Sequence, residues 1–282
     1  MTDPLNLAYE AIEDAHRDVS TTSRRRLIQG AAASFGSLGL LGLVGSSQAT
    51  AQMAGNDPQT ILNVAATAEV LATIVNTVGG ERLGAKGKSN GRGRGNLVSD
   101  LLDDLLGGNN NNKGTKRLDA VTTRNIAAAA REELIHYDVL TSSDVGGKEL
   151  TKRIWVPDEV FASPRNLLQT LEVGDQIFVN AYLIGTTAFG NAGNGTLARY
   201  TAEFMGVEGV HRALARQSLG KLGNDRVFMV YEFTDILVAV AQLKAAGFGF
   251  GEQGSKPGRF YDFDEVRQRT PNPNGLTGLS LS

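Results

Sequence analysis

The sequence predicts an all-α fold: a four-helix bundle with a long crossover between its second and third helices, an extra C-terminal helix and an irregular tail. Three observations predict it. Four segments carry apolar residues at three- and four-residue spacing, the period of one helix face. Two of them place Glu-x-x-His on that face, at 133–136 and 208–211. The other two interrupt their apolar stripe with a carboxylate, Glu69 and Asp175.

The bulk composition narrows the chemistry. A length of 282 residues accommodates one or two domains, and 41% hydrophobic residues suffice for a buried core. The net charge of −2 argues against nucleic acid as the main partner. Cysteine is absent, which excludes disulfides, thiolate metal sites, iron–sulfur clusters and covalently attached c-type haem. Any metal must be held by oxygen and nitrogen, donors that suit iron, manganese or zinc.

Residues 1–51 read as a twin-arginine signal peptide. Ser23-Arg24-Arg25-Arg26-Leu27-Ile28-Gln29 carries the basic pair, followed by an apolar pair and a polar residue. A glycine-diluted apolar stretch follows from Gly30 to Gly45, too short for a comfortable membrane span. Ala49-Thr50-Ala51 then supplies a small-x-small cleavage site. The alternatives are an ordinary secretory signal or an uncleaved anchor. Cleavage predicts a mature chain that starts at Gln52, has a net charge of −1 and keeps only His136 and His211. The expected location is periplasmic or extracellular, with membrane contact only in transit.

The mature domain is expected over 52–265, followed by a disordered tail at 266–282. Its first helix is expected over 58–78, with Asp57 as cap, Pro58 in the first turn and Gly79-Gly80 as the stop. Glu69 is its only acid. Residues 81–118 hold a Gly-Arg run, Gly107-Gly108 and four asparagines, and read as a flexible insertion. The second helix is expected over 119–141, with Ile126, Ala129, Glu133, His136 and Leu140 on one stripe. Residues 142–163 show no helical period and fit a crossover. The third helix, 164–189, takes Ser163 as cap and places Leu168, Leu171, Asp175, Phe178 and Tyr182 on one face. The fourth, 196–219, takes Thr196 as cap and aligns Phe204, Glu208, His211 and Ala215. A fifth is expected over 235–246, between Thr234 and Gly247, and the Gly/aromatic segment after it is expected to be irregular.

These helices offer Glu69, then Glu133 with His136, then Asp175, then Glu208 with His211. One carboxylate from each of two helices and an acid-x-x-His pair from each of the others is the ligand set of a two-metal carboxylate bundle. Four ionised carboxylates cannot share a dry interior uncompensated, because each unpaired buried ion costs several kcal/mol. Two divalent cations would balance the four negative charges. Glu172 lies one turn before Asp175 as a rival ligand, and Asp175 is one methylene shorter than the usual Glu. Glu132 and Glu203 point off the stripe, toward solvent or a supporting role. Tyr137 is turned away and receives no redox role.

The chain resembles the ferritin-like superfamily, and in particular exported bacterial ferritin-like domain proteins related to plant desiccation-related proteins. The resemblance spans about 57–265. It is carried by Ala68-Glu69, by Glu133-x-x-His136 followed by Leu140, by Asp175 with Ala181-Tyr182 downstream, and by Gly206-Val207-Glu208-x-x-His211-Arg212. Leu243-x-x-Ala246-Gly247-Phe248-Gly249-Phe250-Gly251 and Pro257-Gly258-Arg259-Phe260-Tyr261 add to it. It implies two divalent metal ions, iron or manganese, at Glu69, Glu133, His136, Asp175, Glu208 and His211. Glu133 and Glu208 would be the bridges, and O2 or H2O2 the small oxidant. It does not imply iron storage, and no cage is expected, although smaller oligomers are left open. The chain departs from the pattern in Asp175 and in the 81–118 insertion. Two function classes follow: a redox or peroxide-detoxifying metalloprotein, or a non-catalytic desiccation, stress or envelope scaffold with a vestigial site.

Overall fold

A computed structural model describes residues 56–85, 117–273 and 275 of the chain. The signal-peptide reading of 1–51, residues 86–116 of the expected insertion and most of the last residues lie outside the described part. The described chain is mostly helical, with one small sheet.

Helix α1 spans Pro58–Leu83. Asp57 starts it as expected, its Oδ1 accepting from the amides of Gln59 at 3.0 Å and Thr60 at 3.1 Å. The helix runs through Gly79-Gly80 instead of stopping there. The reason is packing: a Cβ on Gly79 would lie 2.7 Å from Leu167 Cδ1, so this glycine brings two helices together. Leu167 is fully buried and has nowhere to retreat. Gly79→Ala is expected to destabilise the fold by about 1–3 kcal/mol, read from a denaturant midpoint. Helix α1 is long and apolar enough to cross a membrane, but 89% of that apolar window is buried against the rest of the chain. Its greasiness is that of a central core helix.

Helix α2 spans Ala120–Leu140, capped by Asp119, whose carboxylate accepts from the Thr122 amide at 2.8 Å. Helix α3 spans Pro164–Asn191 and begins at Ser163, as expected. Helix α4 spans Gly195–Ser218, but its cap is Asn194 and not Thr196: Asn194 Oδ1 accepts from the Leu197 amide at 3.0 Å. Helix α5 spans Ile236–Ala245 with Asp235, not Thr234, in the cap position. Gly247 follows it at φ +104°, a left-handed conformation that suits glycine and turns the chain out of the helix. Helices α1 and α2 pack as one pair and α3 and α4 as another. Contacts of α1 with α3 and of α2 with α4 close the group around one interior.

The crossover is not wholly irregular. It holds a strand, β1, Arg153–Pro157, and a single 3-10 turn, Asp158–Phe161. The Gly/aromatic tail supplies β2, Gly249–Phe250, and β3, Gly258–Asp262, and the antiparallel order is β2-β1-β3. Trp155 sits opposite Gly249 on one side and Phe260 on the other. Ile154 and Val156 are buried, while Trp155 meets the Phe260 ring at 5.1 Å and donates its indole N–H to the Lys256 carbonyl at 3.0 Å. A short helix, α6, Phe263–Arg267, then docks on α1. Phe263 and Val266 are buried, so ordered structure continues past the boundary expected at 265.

Candidate metal centre

The four long helices aim six side chains at one point. Glu69 comes from α1, Glu133 and His136 from α2, Asp175 from α3, and Glu208 and His211 from α4. All six are buried, and the three glutamates are 0% exposed. They form two overlapping groups: Glu69, Glu133, His136 and Glu208 in one, and Glu133, Asp175, Glu208 and His211 in the other. Within each group the donor atoms lie within 4.8 Å of one another, and each group could hold a metal ion. The six residues read from the sequence therefore converge. Glu133 and Glu208 are the two that both groups share, which is the position of a bridging ligand.

The distances show how the sharing works. His136 Nδ1 is 3.7 Å from Glu133 Oε2 and 3.6 Å from Glu208 Oε1. His211 Nδ1 is 3.1 Å from Glu133 Oε1 and 3.5 Å from Glu208 Oε2. Each shared carboxylate thus turns one oxygen toward each histidine. Glu69 Oε1 completes the first group, 3.7 Å from His136 Nδ1. A cation about 2.1 Å from two donors spaced this way would see them at roughly 95–125°, angles that ordinary coordination spheres use.

Most of the donor atoms have no other hydrogen-bond partner. Both oxygens of Glu133 and of Glu208 are buried without a hydrogen-bond partner. So are Glu69 Oε2, Asp175 Oδ2, and Nδ1 of both histidines. Buried polar atoms are nearly always hydrogen-bonded in folded proteins. Eight unpartnered atoms converge on one point, six carboxylate oxygens and two imidazole nitrogens, a donor set that could hold cations.

Electrostatics points the same way. Burial pushes the Glu69 carboxyl up to about 8, and the Glu133 charge adds to the shift. Burial, then the Glu208 charge, holds Asp175 well above the usual carboxylate range. Burial alone would lower both histidines, but the neighbouring carboxylates outweigh it and raise them: Glu69 chiefly for His136, Glu133 chiefly for His211. These shifts favour the protonated forms of Glu69, Asp175 and the two imidazoles. Those protons occupy the places that metal would take.

The surroundings settle the sequence's side questions. Glu172 faces away from the cluster, pairing with Arg216 and, at 3.1 Å, with Lys221, so Asp175 is the α3 residue inside it. Glu203 pairs with Arg199 on the surface at 3.1 Å. Tyr137 packs on Phe263 with ring centroids 4.5 Å apart, away from the cluster. Glu132 takes the supporting role: its Oε2 accepts from His211 Nε2 at 2.6 Å. That bond keeps the proton on Nε2, fixes the ring and leaves Nδ1 to act as a ligand. Glu132→Ala is expected to lower metal affinity about 10–100-fold, measured by titration with Mn²⁺.

One functional residue was missed. Tyr182 on α3 is buried and donates its hydroxyl to Glu69 Oε1. Burial, then the Glu69 charge, holds its pKa far above the ordinary phenol value, so it stays a donor. The signal lay in the spacing: Tyr182 is seven residues, two turns, past Asp175 on the same face. Phe204 closes this side, 4.2 Å from the His136 ring and 5.5 Å from the Tyr182 ring. No family model matches the chain, and no curated protein and no solved structure matches it either.

Proposed function

We propose that this chain is an exported ferritin-like metalloprotein whose two iron or manganese ions sit between α1, α2, α3 and α4. One observation carries the reading: two four-residue donor groups share Glu133 and Glu208, and both oxygens of each shared glutamate are buried without hydrogen-bond partners. When bound, such a metal pair supplies redox or Lewis-acid chemistry toward an oxygen-containing small molecule. The protein's own residues do the rest. Glu133, Glu208, Glu69 and Asp175 would hold the ions together with His136 and His211, the first two shared between both groups, and Tyr182 and Glu132 fix Glu69 and His211. Phe204 keeps water from the His136 side.

The small oxidant in this reading is O2 or H2O2. A cleft of about 30 Å³, lined by Asn76, Asp175 and His211, reaches the cluster from the helix ends near Thr122 and Ser218. Its size admits one water-sized molecule, which matches O2 or H2O2. The role in this reading is oxidant removal in stress protection, in the periplasm or outside the cell. The Arg24-Arg25-Arg26 leader supports that location.

The test is peroxide consumption by protein loaded with Mn²⁺ or Fe²⁺, compared with a Glu133→Gln, Glu208→Gln variant given the same metal. The reading expects turnover by the wild type and its loss, by about 10²-fold or more, in the variant. Equal rates in both would remove the catalytic role. If the variant also kept full protective effect in the cell, the chain would be the non-catalytic scaffold with a vestigial site.

A further inference from the structure

A second, larger cavity lies beside the cluster and is not needed to explain it. It measures about 300 Å³ and sits between α1, α3, α5 and the 3-10 turn. Its wall is mostly apolar: Leu71, Val75, Leu171, Phe178, Leu243 and Phe248. The volume is that of a small-molecule site, and far more than one water needs.

Polar groups occupy its two ends in different ways. Lys256, Glu159 and Gln242 are partly exposed and lie at the mouth. Lys256 and Glu159 pair with each other there, so the mouth offers no uncompensated charge to a charged ligand. Asn76 and Asp175 are 3% and 4% exposed and lie at the deep end. Asn76 Nδ2 donates to the Ala72 carbonyl at 3.2 Å, but Asn76 Oδ1 is buried without a partner, as is Asp175 Oδ2. The amide oxygen of Asn76 can only accept. An unpaired buried acceptor is costly and calls for a donor from whatever fills the space.

We propose that this cavity binds an uncharged small molecule with an apolar body and one hydroxyl donor, an aliphatic alcohol or a phenol. The body packs on Leu71, Val75, Leu171 and Phe178, and the hydroxyl donates to Asn76 Oδ1. Asp175 belongs to both the cavity and the metal-ligating cluster, so the bound hydroxyl lies beside the centre. The occupant's role as a substrate of that centre rests on the metal reading; its binding does not. An ionised ligand is disfavoured, because its negative charge would be buried near Asp175 and Glu208.

The experiment is calorimetric titration of the full chain, freed of metal, with octanol and with octanoate. The expected result is saturable one-to-one binding of octanol and at least tenfold weaker binding of octanoate. Ala246→Phe and, separately, Val173→Phe place a ring in the cavity from partly exposed wall positions. Each is expected to weaken octanol at least tenfold while melting within a few degrees of the wild type. Asn76→Ala is expected to bring octanol down to the affinity of an alkyl chain that lacks the hydroxyl. Absence of saturable octanol binding, octanoate binding as tightly, or undiminished binding by both filled variants overturns the proposal. A chain that binds octanol but takes up no Mn²⁺ upholds the cavity and refutes the metal reading instead.

Discussion

Mn²⁺ or Fe²⁺ added to the metal-free chain is expected to raise its melting temperature by about 8–16 °C when free metal exceeds Kd about a thousandfold. A ligand that binds only the folded state adds about 4 kcal/mol at that excess. For a domain of 150–250 residues each kcal/mol moves the melting point by about 2–4 °C. The stabilisation has a specific source. The folded chain fixes four carboxylates and two imidazoles around one point before any metal arrives, and the unfolded chain does not. Glu133→Gln with Glu208→Gln keeps the side-chain volumes and removes the two shared bridges. That variant is expected to show no metal-dependent shift at all in scanning calorimetry.

The metal-free chain is expected to lose stability as pH rises from about 4.5 to about 8, and metal is expected to reverse the trend. Glu69 sits near 8 when folded, against an ordinary value of 4.5. Between those values the folded state holds a proton that the unfolded state has lost, so stability falls with rising pH. Asp175 is raised too and adds in the same direction. The histidines agree in sign. Raised above their ordinary 6.5, they contribute stability that is fully present below that pH and is lost as pH climbs through their folded values. The combined loss is on the order of several kcal/mol, large against total domain stability. Glu132 acts the other way, but only at acid pH. Its hydrogen bond with His211 lowers it, so its contribution disappears as pH drops through its folded value, below 4.5. With metal present the protons must leave before the ligands can bind, so affinity and loaded stability both rise with pH. Denaturant midpoints at pH 5 and pH 8.5, with chelator and with Mn²⁺, should therefore cross. Parallel pH profiles would show that these groups do not exchange protons for metal.

Much of this was legible in the sequence because helices announce themselves locally. The 3.6-residue period located α1 to α4, and the Glu-x-x-His spacing fixed which face each motif shares. What the sequence hid were contacts between distant segments. Strand β1 pairs with β2 and β3 roughly a hundred residues away, and two strands of two and five residues carry little period of their own. Gly79-Gly80 looked like a helix stop because glycine usually ends helices. Here Gly79 serves a close approach to Leu167, which no local pattern reveals. The caps of α4 and α5 each fell one or two residues from the expected position, where Asn194 and Asp235 outcompeted nearby threonines. Asp175 and Glu172 lie three residues apart on the same helix. Only the positions of Arg216 and Lys221 show that Glu172 has a different job. Tyr182 and Glu132 were visible as residues, but their roles depend on side chains contributed by other helices.

Elemental analysis of protein purified from its native compartment tests the central claim most directly, with the Glu133→Gln, Glu208→Gln variant purified alongside. The account predicts close to two ions of iron or manganese per wild-type chain and almost none in the variant. A wild-type chain that carries no transition metal, even after incubation with Fe²⁺ and Mn²⁺, would contradict it, as would a variant that retains the full complement.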